Sequence, residues 1–423
     1  MTVPRMTLPV SAARLWLAGA VFCAALSLPG AGVAADRLVI DYVISNSPQR
    51  SAMINIINQF SAANPDIQVV HNGYPQEQYK QDLITRLRNG QTDLAFWYAG
   101  ANLREAARNK LLAPLDADTV ALLKKKKFVP ATIEGTRIDG EVYGFPLYYY
   151  VWGMLYRKSL FERMGLRPPA TWSEFLQVCE KLKAAGITPI GLGAKSAWPA
   201  AAWFDYLNLR INGLEFHRKL LNGDAHFTDP KVHQVFDVWG GLLRKGYFFA
   251  PTMDQEIDRV LPYLYRQHVG MMLTGSFIAA RFPAAIAPDM GFFSFPSYSA
   301  EMPQYEEAPM DVLVLPANSA HVEARKRFLT FLAESGATRV IAQADQTLAA
   351  QSDGATQPVL GEATNAILGK AAGLTYFFDR DARTELVTPS YEGLRQFLKP
   401  PYDADQTIRY IEDARRKSGA ESR

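Results

Sequence analysis

From Leu38 onward the chain alternates short β-rich runs with longer stretches of helical periodicity, and no other feature narrows its fold as much. Residues 38–43 form a β-rich run, which Ser45-Asn46-Ser47-Pro48 ends. Met53, Ile56, Ile57 and Phe60 then recur at helical spacing until Asn64-Pro65-Asp66 stops them. Residues 67–71 read as a second strand, Leu83, Ile84 and Leu87 mark a second helix, and Leu94-Ala95-Phe96 follows Asp93 as a third strand. Such alternation predicts parallel βαβ units with helices on the sheet faces. Ligands of these sheets lie beyond the carboxyl ends of the strands, here residues 45–49 and Trp97-Tyr98.

A second α/β region follows an unusual aromatic stretch, GFPLYYYVWGMLYRK, at residues 144–158. A strand alternates its faces, so Tyr148 and Tyr150 are expected to point one way and Tyr149 the other. Only one of those faces can be ordinary core. The other carries flat rings with hydroxyl handles, suited to an interface or a ligand. Downstream, Thr171-Trp172-Ser173-Glu174 has the capping-box form ahead of Phe175, Val178 and Leu182. Asp229-Pro230 opens another helix, residues 269–273 form an apolar strand ending in Thr274-Gly275-Ser276, and residues 292–295 and 312–315 read as later strands. The last 50 residues read as mostly helical.

The first 35 residues read as an export signal: Arg5 and Arg14 ahead of an apolar run, then the small-residue site Val33-Ala34-Ala35. Cleavage is expected near Ala35 or Asp36. The formal charge of +3 would then fall to +1, because residues 1–35 contain those two arginines and no Asp or Glu. Such a balance implies no nucleic-acid or membrane field. Cys179 would be the one cysteine left, which excludes an intrachain disulfide and leaves stability to a large core. The remaining residues, about 388 of 423, exceed what one core holds, so two domains are expected.

The order and spacing of several blocks resemble the sugar-binding proteins of ABC importers, the extracellular solute-binding family that includes maltose-binding protein. These blocks are Asn64-Pro65-Asp66-Ile67 with Val69, Tyr79 and Asp93; Gly144-Phe145-Pro146 through Tyr156-Arg157-Lys158-Ser159-Leu160-Phe161; Pro169 through Phe175; Gly275-Ser276-Phe277; and ARKRFLTFLA at 324–333. The resemblance implies an α/β, two-lobed periplasmic-binding-protein fold (type II-like), each lobe a mostly parallel sheet flanked by helices and joined by a hinge. It places lobe 1 at residues 36–147 and about 311–350, and lobe 2 at 148–310 and about 351–423. It implies a monomeric periplasmic protein that binds a sugar or oligosaccharide between the lobes and hands it to an ABC permease in the inner membrane. Neither cofactor nor catalysis is expected. By position, the resemblance assigns ligand contacts to Asn46 and Gln49, to Trp97 and Tyr98, to Tyr149 and Tyr150 at the crossover, to Trp198, to Gly275, Ser276 and Phe277, and to Asp311 as a hydroxyl acceptor.

Duller roles compete with these. Trp172, Trp203 and Trp239 fall within helical patterns and read as core. Asn46 and Gln49 suit a helix cap. The histidines show no metal-ligand spacing, and no G-x-S-x-G elbow or phosphate loop occurs. Two alternatives stay open: ferric iron held by phenolates such as Tyr149-Tyr150, and a secreted glycosidase using a carboxylate pair across a cleft.

Overall fold

The computed structural model describes residues 36–44, 46–352 and 358–421. The expected export signal lies outside the described residues, among which no helix is long and apolar enough to cross a membrane. In chain order the strands are β1 (Asp36–Ile44), β2 (Ile67–Pro75), β3 (Leu94–Tyr98), β4 (Leu112–Ala113), β5 (Arg137–Ile138), β6 (Glu141–Val142), β7 (Gly144–Tyr149), β8 (Trp152–Arg157), β9 (Thr188–Gly191), β10 (Val269–Gly275), β11 (Met290–Phe293), β12 (Tyr305–Glu307), β13 (Met310–Pro316), β14 (Leu348–Ala349) and β15 (Gly373–Thr375). They build a first sheet ordered β14-β7-β13-β3-β1-β2, with β4 at the end of β13, and a second ordered β11-β8-β10-β9. β5 pairs with β6 and β12 with β15.

The first strand shows why the sequence folds this way. Leu38, Val39, Ile40, Tyr42 and Val43 are all buried, so both faces of β1 are covered, as a strand inside a helix-flanked sheet requires. β1 runs parallel to β2 and β3, as the alternation predicts. Beyond these strands the sheets are mixed, with β9 parallel to β10. β13 is antiparallel to both β3 and β7, and β8 is antiparallel to both β10 and β11. The reason is topological: β7, β8 and β13 flank the passages between the sheets, and a strand leaving or returning need not share the direction set by βαβ crossovers.

Each sheet has its own core. One gathers residues between Leu38 and Tyr148 with residues between Met310 and Ala350. The second begins at Tyr150 and reaches Ile411, with a smaller cluster around Val151, Leu155 and Ile278 beside it. The tyrosine stretch straddles the boundary. Tyr148 belongs to the first core and Tyr150 to the second, so these two do not share one strand face as simple alternation predicts. β7 ends at Tyr149, and the chain passes through Tyr150-Val151 into β8. The capping box forms as expected, with the Thr171 hydroxyl accepting from the Glu174 N–H and Glu174 accepting from the Thr171 N–H.

Candidate functional site

A cavity lies where the two sheets face each other, enclosing about 700 Å³ of non-atom space, part of it open to solvent. From the first half Asn46, Lys80, Tyr98, Asp311 and Asp345 line it; from the second come Tyr150, Trp152, Trp198, Phe277 and Arg281. Phe377, Asp379 and Arg380, on a short segment after β15, close one wall. Local folding explains most of these placements. Tyr98 ends β3, Asp311 is its direct partner on β13, and Asn46 caps the helix Ser47–Ala63 by accepting from the Gln49 N–H at 2.8 Å. That helix starts at Ser47, several residues earlier than the apolar periodicity suggests, because the cap and Pro48 define its first turn.

The structure brings six of the sequence-assigned residues together around this space: Asn46, Tyr98, Tyr150, Trp198, Phe277 and Asp311. Five others do not line it. Gln49 is buried in the first turn of its helix. Trp97, expected in a loop, is a residue of β3 whose alternation turns it into the first core. Tyr149 packs beside the first core as the last residue of β7. Gly275 and Ser276 form the bend behind Phe277, where a Cβ on Gly275 would lie 2.3 Å from the Phe277 ring and 3.2 Å from Tyr150. These two shape the wall without lining it.

The aromatic side is a connected group of rings. Tyr150 meets Phe277 edge-on at 5.0 Å, Trp152 meets Trp198 at 5.7 Å, and Phe377 lies flat on Trp152 at 4.8 Å and 8°. Trp198 and Phe277 remain half-exposed, while the others are buried. Tyr98 Oη and Trp152 Nε1 are buried polar atoms with no hydrogen-bond partner among the described residues. Buried groups of this kind ordinarily find one.

The polar side is held in pairs. Lys80 contacts Asp379 at 2.7 Å, Arg380 contacts Asp311 at 2.8 Å, and Arg281 contacts Asp258 at 2.5 Å. Burial works against the charge on Arg380, but Tyr150, Asp311 and Tyr98 outweigh it and hold its pKa above the usual value. Burial likewise raises the Asp311 carboxyl against the pull of Arg380. At Asp345 burial, reinforced by Asp311, pushes the carboxyl up to about 7 against its hydrogen bond from Asn46 Nδ2 at 2.6 Å and the opposing charge of Arg281. Burial also raises Tyr150 well above an ordinary phenol and raises Tyr149. These two rings pack against different cores, so they do not converge on a single ion, and the ferric-site reading loses its ligand pair.

Sequence reasoning missed Lys80, Trp152, Arg281, Asp345, Phe377, Asp379 and Arg380. Trp152 lay within the quoted aromatic stretch, but strand alternation alone did not reveal that the chain changes sheets at Tyr150. The one usable signal for the last three was the run Tyr376-Phe377-Phe378-Asp379-Arg380-Asp381, where alternating charge follows aromatics. It was submerged in a region read as helical.

Residues 45–339 match the profile of the bacterial extracellular solute-binding protein family. An uncharacterized ABC transporter extracellular-binding protein of Pyrococcus horikoshii is 26% identical over 291 residues, covering 67% of this chain and 66% of the relative. Across the first curated relatives, the chain spans between about half and two thirds of their length. Among solved structures, the bacterial solute receptor AcbH, with an exclusive preference for β-D-galactopyranose, is 26% identical at a TM-score of 0.74, covering 92% of this chain and 98% of that one. A chitin oligosaccharide binding protein superposes at 0.82 with 19% identity, over 91% of this chain and 100% of that one, a likeness of fold.

Proposed function

Because the chain belongs to the bacterial extracellular solute-binding protein family, we propose that its cleft binds a sugar or oligosaccharide and that the protein delivers it to the membrane permease of an ABC importer. The observation that carries this reading is the cavity itself, which rings and polar groups enter from both lobes. Sugars present C–H patches that stack on aromatic faces, here Trp198 and Phe277, and hydroxyls that need fixed partners. Tyr98 Oη, Trp152 Nε1 and the carboxyl of Asp345 supply such partners.

Charge narrows the class. Three cations and three carboxylates line the cleft, and every cation already faces a carboxylate. This favours a neutral sugar over a sugar acid or a metal ion. The AcbH preference for galactopyranose supports a pyranose as the first candidate. The protein acts in this reading as an exported, monomeric periplasmic receptor that turns nothing over. Its lobes comprise residues 36–147 with about 311–350, and 148–310 with about 351–423.

The test is a thermal-shift screen of residues 36–423 against D-galactose, maltose, N,N′-diacetylchitobiose, galacturonate and ferric iron. Saturation at a hundredfold excess over the dissociation constant adds about 2.7 kcal/mol of stability. A rise in melting temperature with a neutral sugar, and none with galacturonate or iron, is expected. Well-folded protein that responds to no sugar, or only to iron, overturns the reading.

A further inference from the structure

The segment 376–384 is fastened to one lobe and grips the other. On its own side, β15 just before it pairs with β12, Phe377 lies flat on Trp152, and the N–H of Phe378 donates to Asp205 at 2.8 Å. Across the cleft its charges alternate against those of lobe 1. Asp379 meets Lys80 at 2.7 Å, Arg380 meets Asp311 at 2.8 Å, and Asp381 meets Arg104 at 3.1 Å. Negative, positive and negative thus face positive, negative and positive.

The backbone fits as closely. Gly100, at the start of the helix Ala101–Arg108, has φ 126°, and a Cβ there would come within 2.3 Å of the Arg380 carbonyl oxygen. Any other residue would hold the segment off. Asn102 then donates to the Asp379 carbonyl at 2.8 Å.

Arg380 is the centre of this grip and also part of the cavity wall. Its guanidinium lies 3.9 Å from the centre of the Tyr98 ring and 5.4 Å from that of Tyr150, so it bridges an aromatic of each core. It is only 6% exposed, and among the described residues its guanidinium donates one side-chain hydrogen bond, to Asp311. A guanidinium carries five N–H donors in a rigid fork. The rest of that fork lies at the cavity wall, where ligand oxygens entering the cleft can accept from it.

We propose that Arg380 is the positioning residue that couples occupancy of the cleft to closure of the lobes. Ligand oxygens complete its donor set on one side, while Asp311 and Tyr98 tie the same guanidinium to the opposite lobe on the other. A ligand rich in acceptor oxygens closes the protein, and one of equal size without them does not. The inference rests on the reading of the cleft as a carbohydrate site.

The experiment compares wild type, R380K, R380M and G100A, measuring the dissociation constant for D-galactose by calorimetry and the radius of gyration by small-angle X-ray scattering with and without that sugar. R380M is expected to lose roughly tenfold or more in affinity, the scale of a hydrogen bond to a charged group, and to stop contracting on binding. R380K keeps the charge without the fork and is expected to recover contraction in part. G100A leaves every side chain of the cleft in place but forces the segment away, and is expected to lose contraction as well. Wild-type affinity and contraction in folded R380M, or in G100A should R380M fail to fold, overturns the proposal. If D-galactose does not bind even the wild-type protein, that failure falls on the choice of sugar or the reading of the cleft, and the clamp is judged on the unliganded proteins. A larger radius in R380M than in wild type then supports it, and equal radii overturn it.

Discussion

Among the links between the lobes, two beside the cleft are built from opposite materials. The passage from Tyr148 to Trp152 is covalent and aromatic, with rings buried in both cores. The segment from Phe377 to Asp381 belongs to one lobe and reaches the other through ion pairs and one close backbone contact. Apolar burial is non-directional and is not screened by salt, whereas paired charges demand geometry and respond to pH and ionic strength. The difference teaches a division of labour: rings give the cleft its permanent shape, and charges set how firmly it closes.

Three measurements can break or sharpen that contrast. The largest effect is expected from Trp152→Ala, which removes a fully buried indole stacked on Phe377 and should cost about 3–5 kcal/mol in denaturant unfolding, with little change between low and high salt. A strongly salt-dependent loss would show that the aromatic side is not independent of the charged one.

Next comes pH. The Asp345 carboxyl titrates near 3.9 in an unfolded chain and at about 7 in the folded one. The folded state therefore binds the extra proton between those values, and stability falls as pH rises through that window. Asp345→Asn should remove on the order of 2–3 kcal/mol from the drop seen between pH 5 and pH 8. Parallel stability curves for the two proteins would refute the assignment.

The smallest effect belongs to Lys80→Met, which strips Asp379 of a partner while Arg380 stays nearby. A loss of about 1–2 kcal/mol is expected, because Lys80 is still about a fifth exposed. The gap from wild type should narrow as salt is raised. A gap that persists in high salt would point to packing of the lysine stem instead.

The same contrast explains what could be read from the sequence. Periodicity located β1, β2 and β3 and their helices, and for β1 and β3 burial on both faces of the sheet writes apolar runs directly into the chain. It could not locate β13 between β3 and β7, since those pairings join residues more than 200 and more than 160 positions apart and leave no local trace. For the cleft, a position at a strand end or helix cap was enough to find Asn46 and Tyr98. Trp97 and Tyr149 were misplaced because one step along a strand reverses the face, and the sequence did not show where each strand stops. Asp345 was invisible, and Arg380 nearly so, for another reason: a charged residue enters a cleft only because distant partners tolerate it, and those partners are named by the fold alone.

The insertion of β13 also bears on how the chain is made. The apolar strand β3 lies ready soon after residue 98, but its neighbour β13 is synthesised more than 200 residues later. Until then β3 has an open edge of the kind that recruits other chains. The second core waits too, since it needs residues as late as Phe397 and Ile411. The first lobe has its core residues once Ala350 is made and the second only after Ile411, so the first is expected to mature before the second, and a factor that shields β3 until β13 emerges would protect the whole molecule.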